Sequence, residues 1–397
     1  MNPLISKIKT LAYSILFMQV VIGCNSNKKK ESIERTQNVA SHNVLSSVID
    51  SIDSEIKSGE YGLIDRFMII RDDEILADFK YKQDYESIAK KYDTTDHQYN
   101  YDNPNWHPYY AQTDLHSLQS VTKSVNSILL GIALDLHSDY NLKTKMMSLF
   151  SDYPIDNQDE RKNAITIEDL LTMRAGLQWN EVDYLDPSDD CIVMEASDDW
   201  VKYVLNKPMD TLPGTSFVYN SGVSVLLGEI VRIITGNKVD DWAEEKLFKP
   251  LGITDYYWKK TPLGALDTEG GLYLKAEDLA KIGSLFLNHG KWKGKQIVPQ
   301  KWVSSSISPI ATNLYPGEND KTGYGYQWWV WDHGNGKTNI FGAQGYGGQY
   351  LTVAPDYNLI ILFNGWNIHG EPKKYTWAVM EDRIIPVLEK NSKTLRN

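Results

Sequence analysis

The chain has 397 residues, 42% of them hydrophobic, and a formal net charge of -11, enough apolar material for one large domain or two modest ones. That acidic balance would not neutralise phosphates, which excludes nucleic acid as a partner on electrostatic grounds. Two cysteines with unlike neighbourhoods, Cys24 and Cys191, provide neither a disulfide framework nor a cysteine metal site.

Lys7 and Lys9 precede an apolar run from Leu11 to Ile22, the basic and hydrophobic regions of a signal peptide. The run is shorter than the ~20 residues a membrane span takes. Val21-Ile22-Gly23-Cys24 has the form of a bacterial lipobox. The expectation is therefore a leader over residues 1–23, lipidation at Cys24 and a polar, unpatterned tether over 24–40. Such a protein is held on a membrane by its lipid, in the cell envelope on the periplasmic side or at the cell surface.

Apolar residues from Val44 to Ile56 recur at helical spacing, and Phe67 to Tyr81 predicts two strands turning at Arg71-Asp72-Asp73-Glu74. Gln83 to Thr113 is polar and rich in Tyr and Asp, either an insertion or a loop flanking a cleft. Val121 to Leu136 is apolar on nearly every side, as a central buried helix would be. Further helical pieces follow at Asp169 to Met173, Asp199 to Leu205, Val223 to Ile234 (stopped by Gly236) and Val239 to Phe248. After a helix from Ala276 to Leu287 come strand-like segments at Gly325 to Trp331, Thr338 to Ala343, Gln349 to Val353 and Leu359 to Phe363, then a closing helix from Tyr375 to Leu388. This order predicts an α/β protein of the α+β kind in a single domain over 41–397. One antiparallel sheet flanked by helices takes both ends, 41–135 and 256–397, and a mostly helical part, 136–255, is inserted between them.

Ser-x-x-Lys occurs five times, at Ser6, Ser26, Ser54, Ser87 and Ser120, so the pattern alone identifies nothing. Only Ser120-Val121-Thr122-Lys123 opens a buried apolar helix, where a lysine is costly to place. A spacing of three puts both side chains on one helical face. Serine at the helix start sets its N–H and the positive end of the helix dipole toward a developing oxyanion. A desolvated lysine has its charged form disfavoured and is a candidate base. The competing reading is an N-capping serine beside a lysine that snorkels to the surface. No Gly-x-Ser-x-Gly elbow and no His-x-His or His-Glu-x-x-His spacing is present, so neither an α/β-hydrolase triad nor a zinc site is indicated. His116 is expected to be a strand residue.

Pro213 to Gly222, with Tyr219-Asn220-Ser221 at its end, resembles the second motif, Tyr-x-Asn, of the serine beta-lactamase-related family of class C beta-lactamases, D-alanyl-D-alanine carboxypeptidases, esterases and 6-aminohexanoate-dimer hydrolases. Leu170 to Leu177, Glu269-Gly270-Gly271-Leu272-Tyr273 and Gly323 to Trp329 are similar to further segments of that family, over roughly residues 62–365. Ala343-Gln344-Gly345 stands where its third motif, Lys-Thr-Gly or His-x-Gly, belongs. The resemblance implies a beta-lactamase/transpeptidase-like fold with Ser120 as nucleophile, Lys123 and Tyr219 moving its proton, and the N–H groups of Ser120 and Tyr346 as oxyanion hole. It places substrate binding at Ser221, Ala343, Gln344 and Gly345, and needs no metal or cofactor; Trp179 is a further candidate to line the cleft, with core packing as its default reading.

Two positions depart from the pattern, Ser221 for asparagine and Ala343 for the cationic residue that helps bind a substrate carboxylate. The expectation is thus an esterase, amidase or peptidase acting on a small-molecule or peptide-like acyl substrate, with weak or no beta-lactamase activity. The alternative is a non-catalytic lipoprotein of the same fold that binds cell-wall fragments or a partner protein.

Overall fold

Asp72 and Asp73 take left-handed φ values of 53° and 61°, which lets a two-residue turn join strand Ile64–Arg71 to strand Glu74–Lys80 with Arg71 opposite Glu74. In the computed structural model, which describes residues 44–312, 314, 321–332 and 339–394, this hairpin forms one end of an eight-stranded sheet. Strand Leu359–Gly365 lies beside Ile64–Arg71, and every one of its residues is buried. Next come Gln349–Ala354, Ile340–Gly345, Trp329–Trp331, Thr322–Tyr324 and Ala311–Thr312. All pairings are antiparallel, so strands from both ends of the chain share one sheet, as expected. The leader, Cys24 and the 24–40 tether lie outside the described residues.

Gly325 to Trp331 is not one strand. Gln327, with φ of 63°, sits in a turn closed by the Gly325 N–H donating to the Trp328 carbonyl at 2.9 Å. Its amide reaches the Leu171 carbonyl at 2.9 Å, and its side-chain oxygen accepts from Ser224 at 2.7 Å. Contacts this distant in sequence override the local strand pattern.

Helix Val121–Leu136 has its expected bounds and is buried at every residue from Val121 to Ala133. It packs on helix Ser221–Thr235 and on the Ile340–Gly345 and Gln349–Ala354 strands. Gly236 ends its partner helix at φ 68°, a left-handed cap that glycine adopts without strain. Thr166 and Asp169 form a capping box that starts helix Ile167–Leu171 two residues earlier than expected. Val239 to Phe248 is an α-turn, Val239–Ala243, running into a wider π-turn, Glu244–Phe248.

The chain divides into two units, Met1–Glu55 with Ala378–Asn397, and Ile56–Trp377. In the first, Arg383 binds Glu55 at 2.9 Å. Its C-terminal helix is Ile385–Thr394, preceded by a π-turn at Met380–Ile384, rather than one helix from Tyr375. The second holds the sheet, the central helix and the residues that follow.

Candidate active site

Two short strands set the position of Ser120. His116–Ser117 pairs with Leu272–Leu274, and the Leu118 N–H donates to the Leu272 carbonyl at 2.9 Å. Gln119 then turns through φ 49°, a conformation uncommon for a non-glycine residue and typical of functional sites. Ser120 occupies the N-cap position of the buried helix, yet its side chain makes no capping bond. The helix is anchored from its own face instead: Ser124 and Ser127 hydroxyls donate to the Gln327 and Tyr326 carbonyls at 2.6 and 2.8 Å.

Lys123 does not snorkel. It is 1% exposed, and its Nζ lies 2.9 Å from Ser120 Oγ, 2.8 Å from the Glu269 carbonyl and 2.9 Å from Glu269 Oε2. Tyr219, from the loop before helix Ser221–Thr235, is hydrogen-bonded to Ser120, and its ring centroid lies 5.4 Å from Lys123 Nζ. Ser120, Lys123 and Tyr219 therefore converge.

Their protonation differs from the expectation of a lysine discharged by burial. Burial does pull the Lys123 ammonium down. The Glu269 carboxylate, together with Tyr219 and Glu181, outweighs it, and Lys123 is held well above the ordinary lysine value. Burial pushes the Tyr219 phenol up to about 12 against the opposing pull of Lys123. Lysine and tyrosine are thus both protonated at neutral pH.

Glu269 and Glu181 are the side chains that sequence reasoning missed. Burial raises the Glu269 carboxyl, but the Lys123 ammonium, with hydrogen bonds from Glu195 and Ser221, more than offsets this and holds it below the usual range. Glu195, hydrogen-bonded to Glu269, is driven the other way, well above that range, first by burial and then by the Glu269 charge. Glu181 accepts from the Ser221 N–H and hydroxyl at 2.7 and 2.6 Å, the Trp179 indole at 2.7 Å and the Tyr184 hydroxyl at 2.8 Å. The helix cap is made by Asn220, whose side chain accepts from Val223 N–H at 3.0 Å, so Ser221 is left to bind Glu181.

At the end of strand Ile340–Gly345, Gly345 meets the segment before Ser120 directly. A Cβ there would fall 2.3 Å from the Leu118 carbonyl and 2.9 Å from Gln119 Cβ, a close approach that only glycine permits. Tyr346 follows in the turn to Gln349–Ala354. Its hydroxyl donates to the Ile368 carbonyl at 3.0 Å, and its ring meets Tyr184 edge-on at 5.0 Å. Gln344 is half-buried beside it.

Two expected substrate contacts are buried side chains. Ala343 is 1% exposed and belongs to the main apolar core, because it alternates inward on its strand. Trp179 is 8% exposed, packed against Gly222 with its indole N–H occupied by Glu181. His116 is a strand residue bonded to Asp65 at 2.7 Å. Cavities of about 360 and 900 Å³ exist, but neither is lined by Ser120, Lys123 or Tyr219.

Among the described residues one group could hold a metal: ligand atoms of Cys191, Glu195 and Glu269 lie within 4.8 Å of one another. Burial pushes the Cys191 thiol well up, and Glu269 already has the Lys123 ammonium, so this donor set suits a cation poorly.

Known proteins point the same way. The chain is 25% identical to a 6-aminohexanoate-dimer hydrolase from Paenarthrobacter ureafaciens over 298 residues, 70% of this chain and 72% of that protein. It is 26% identical to a lovastatin esterase from Penicillium rubens over 191 residues, 45% of this chain and 44% of that one. A penicillin-binding protein homologue from Pyrococcus abyssi superposes with a TM-score of 0.58 at 18% identity, over 87% of this chain and 80% of that chain. The Beta-lactamase family model matches residues 92–378, the span that holds Ser120, Lys123, Tyr219 and Glu269, and the chain belongs to this beta-lactamase family of serine hydrolases.

Proposed function

We propose that the protein hydrolyses an ester or amide bond through a Ser-Lys-Tyr acyl-enzyme. The observation that carries this is an uncapped serine hydroxyl 2.9 Å from a lysine that is 1% exposed. Ser120 attacks the carbonyl, and the oxyanion rests on the N–H groups of Ser120 and Tyr346. Tyr219 protonates the leaving group and later orients the water that frees the enzyme. Core placement of Ala343, with no cation at that position, supports weak or no beta-lactamase activity, and the hydrolase and esterase named above support amide or ester substrates. The reading also includes work outside the cytoplasm on a lipid carried by Cys24.

Incubation of the domain, lacking residues 1–24, with a fluorophosphonate should give a single mass adduct. Ser120→Ala should abolish the adduct and lower turnover by about 10⁴-fold or more with the fold intact. A folded protein that stays unmodified would refute the reading and favour the non-catalytic alternative.

A further inference from the structure

The Ser120–Lys123 pair lacks a destination for its proton. Lys123 as an ammonium has three donors and no acceptor, and all three are engaged, on Ser120 Oγ, the Glu269 carbonyl and Glu269 Oε2. It can take the serine proton only by giving one up. Tyr219 is protonated as well. Ser221 gives its hydroxyl to Glu181 at 2.6 Å. Among the described residues, one carboxylate forms an ion pair with Lys123, that of Glu269 at 2.9 Å, with side-chain exposures of 1% and 7%.

We infer that Glu269 is a positioning residue in the proton path of this site, receiving through Lys123 the proton that leaves Ser120. The inference rests on the Ser120–Lys123 reading above. As Oγ bonds to the carbonyl carbon, its proton moves to Lys123 Nζ while an Nζ proton moves to Glu269 Oε2; the carbonyl electron pair moves to the oxyanion. Lys123 stays an ammonium throughout, and the net transfer is Ser120 to Glu269. On collapse of the tetrahedral adduct, the bond to the leaving group breaks. Tyr219 gives its proton to the leaving group, Lys123 restores that of Tyr219, and Glu269 returns its proton to Lys123.

The surroundings keep Glu269 ready for this. Glu195 and Ser221 each supply a hydrogen bond to its carboxylate. Two carboxyls in contact do not both ionise, and Glu195 is the one kept protonated. Glu181 and Tyr219 face the same ammonium. Behind Glu269 lie Asp267, raised to about 7 by burial and by Glu269, and Lys259, lowered to about 8 by burial against Asp267, Glu195 and Glu269. Cys191 stays a neutral thiol.

The test is the rate of fluorophosphonate labelling of Ser120 against pH, read by intact mass, for the wild type, Glu269→Gln and Glu269→Asp, with near-ultraviolet circular dichroism to confirm folding. The wild-type rate should be flat from about pH 6 to about pH 9, between the lowered carboxyl and the raised ammonium. In Glu269→Gln, Lys123 must itself lose a proton before it can act. Burial then pulls that lysine down, so labelling should fall on the acid side and rise by up to about tenfold per pH unit to a plateau above the new lysine value. Glu269→Asp, which keeps the carboxylate, should keep the wild-type profile at a reduced rate. A Glu269→Gln profile of wild-type shape, whatever its height, would overturn the proton path. Absence of labelling in the wild type would instead overturn the Ser120 reading itself.

Discussion

Methionine at position 123 would keep the length and apolar stem of the lysine and remove the ammonium that neutralises Glu269. Taking away one partner of a buried ion pair costs about 3–5 kcal/mol, because the other charge stays behind uncompensated. Here the carboxylate side chain is 7% exposed, while Glu195 still donates to it, so Lys123→Met should cost about 3 kcal/mol at pH 8. The sign with pH follows from the two shifts. Glu269 is held below its ordinary value and Lys123 above. The pair therefore stabilises between the unfolded values of about 4.3 and about 10.4. That contribution is lost as pH falls through the folded Glu269 value or rises through the folded Lys123 value. In the variant only the Glu195 and Ser221 hydrogen bonds hold Glu269 down while burial raises it, so stability falls as pH rises through the new value. Lys123→Met should lie closer to wild type at pH 5 than at pH 8, and adding Glu269→Gln should recover at least about 2 kcal/mol at pH 8 while activity stays lost. Urea denaturation of all three proteins at both pH values, at constant m, measures this. A Lys123→Met protein within about 1 kcal/mol of wild type at pH 8 would refute the argument that the ion pair is electrostatically coupled.

Glu181→Ala should cost about 2–6 kcal/mol, because the Ser221 N–H and the Trp179 indole are left without acceptors at about 1–3 kcal/mol each. Thermal unfolding reads the loss, and a cost below about 1 kcal/mol would mean that water takes the place of the carboxylate. Gly345→Ala sets a methyl 2.3 Å from the Leu118 carbonyl and should push the strand end away from Ser120, lowering kcat by about 10²-fold through lost alignment. An unchanged kcat in that variant would remove the strand end from the positioning of the oxyanion.

The pairing of Ser120 with a buried Lys123 was legible because its signal is local. Val121 to Leu136 is apolar all round, and a lysine three residues after a serine is costly to bury in such a helix unless it has chemistry to do. Tyr219 was visible through the resemblance of its loop, not through its own surroundings. Glu269 was not legible as a chemical group: in Glu-Gly-Gly-Leu it stands beside a backbone motif, and its bond to Lys123 joins positions 146 residues apart. The same distance in sequence hid Glu181, which meets Ser221 across 40 residues. It also misplaced the lysine proton, because burial was visible in the apolar pattern and the counter-ion was not. Ala343 was assigned by the position of a motif, and Trp179 as a cleft aromatic whose default was core packing. Strand alternation turns the first into the core, and a hydrogen bond to Glu181 ties up the second. The break in Gly325 to Trp331 had no local warning beyond its glycine, since Gln327 is held by Leu171 and Ser224 from distant parts of the chain.

The fastening of the central helix to residues 326 and 327 also has a consequence in time. Ser124 and its acceptor at Gln327 are separated by 203 residues, so a ribosome adding about 5–20 residues per second makes the serine about 10–40 s before the residue that locks its helix. Contacts that close loops this long form late and slowly. Through that interval the chain carries Ser120 without the contacts that fix its helix, and these are completed only with the last third of the polypeptide.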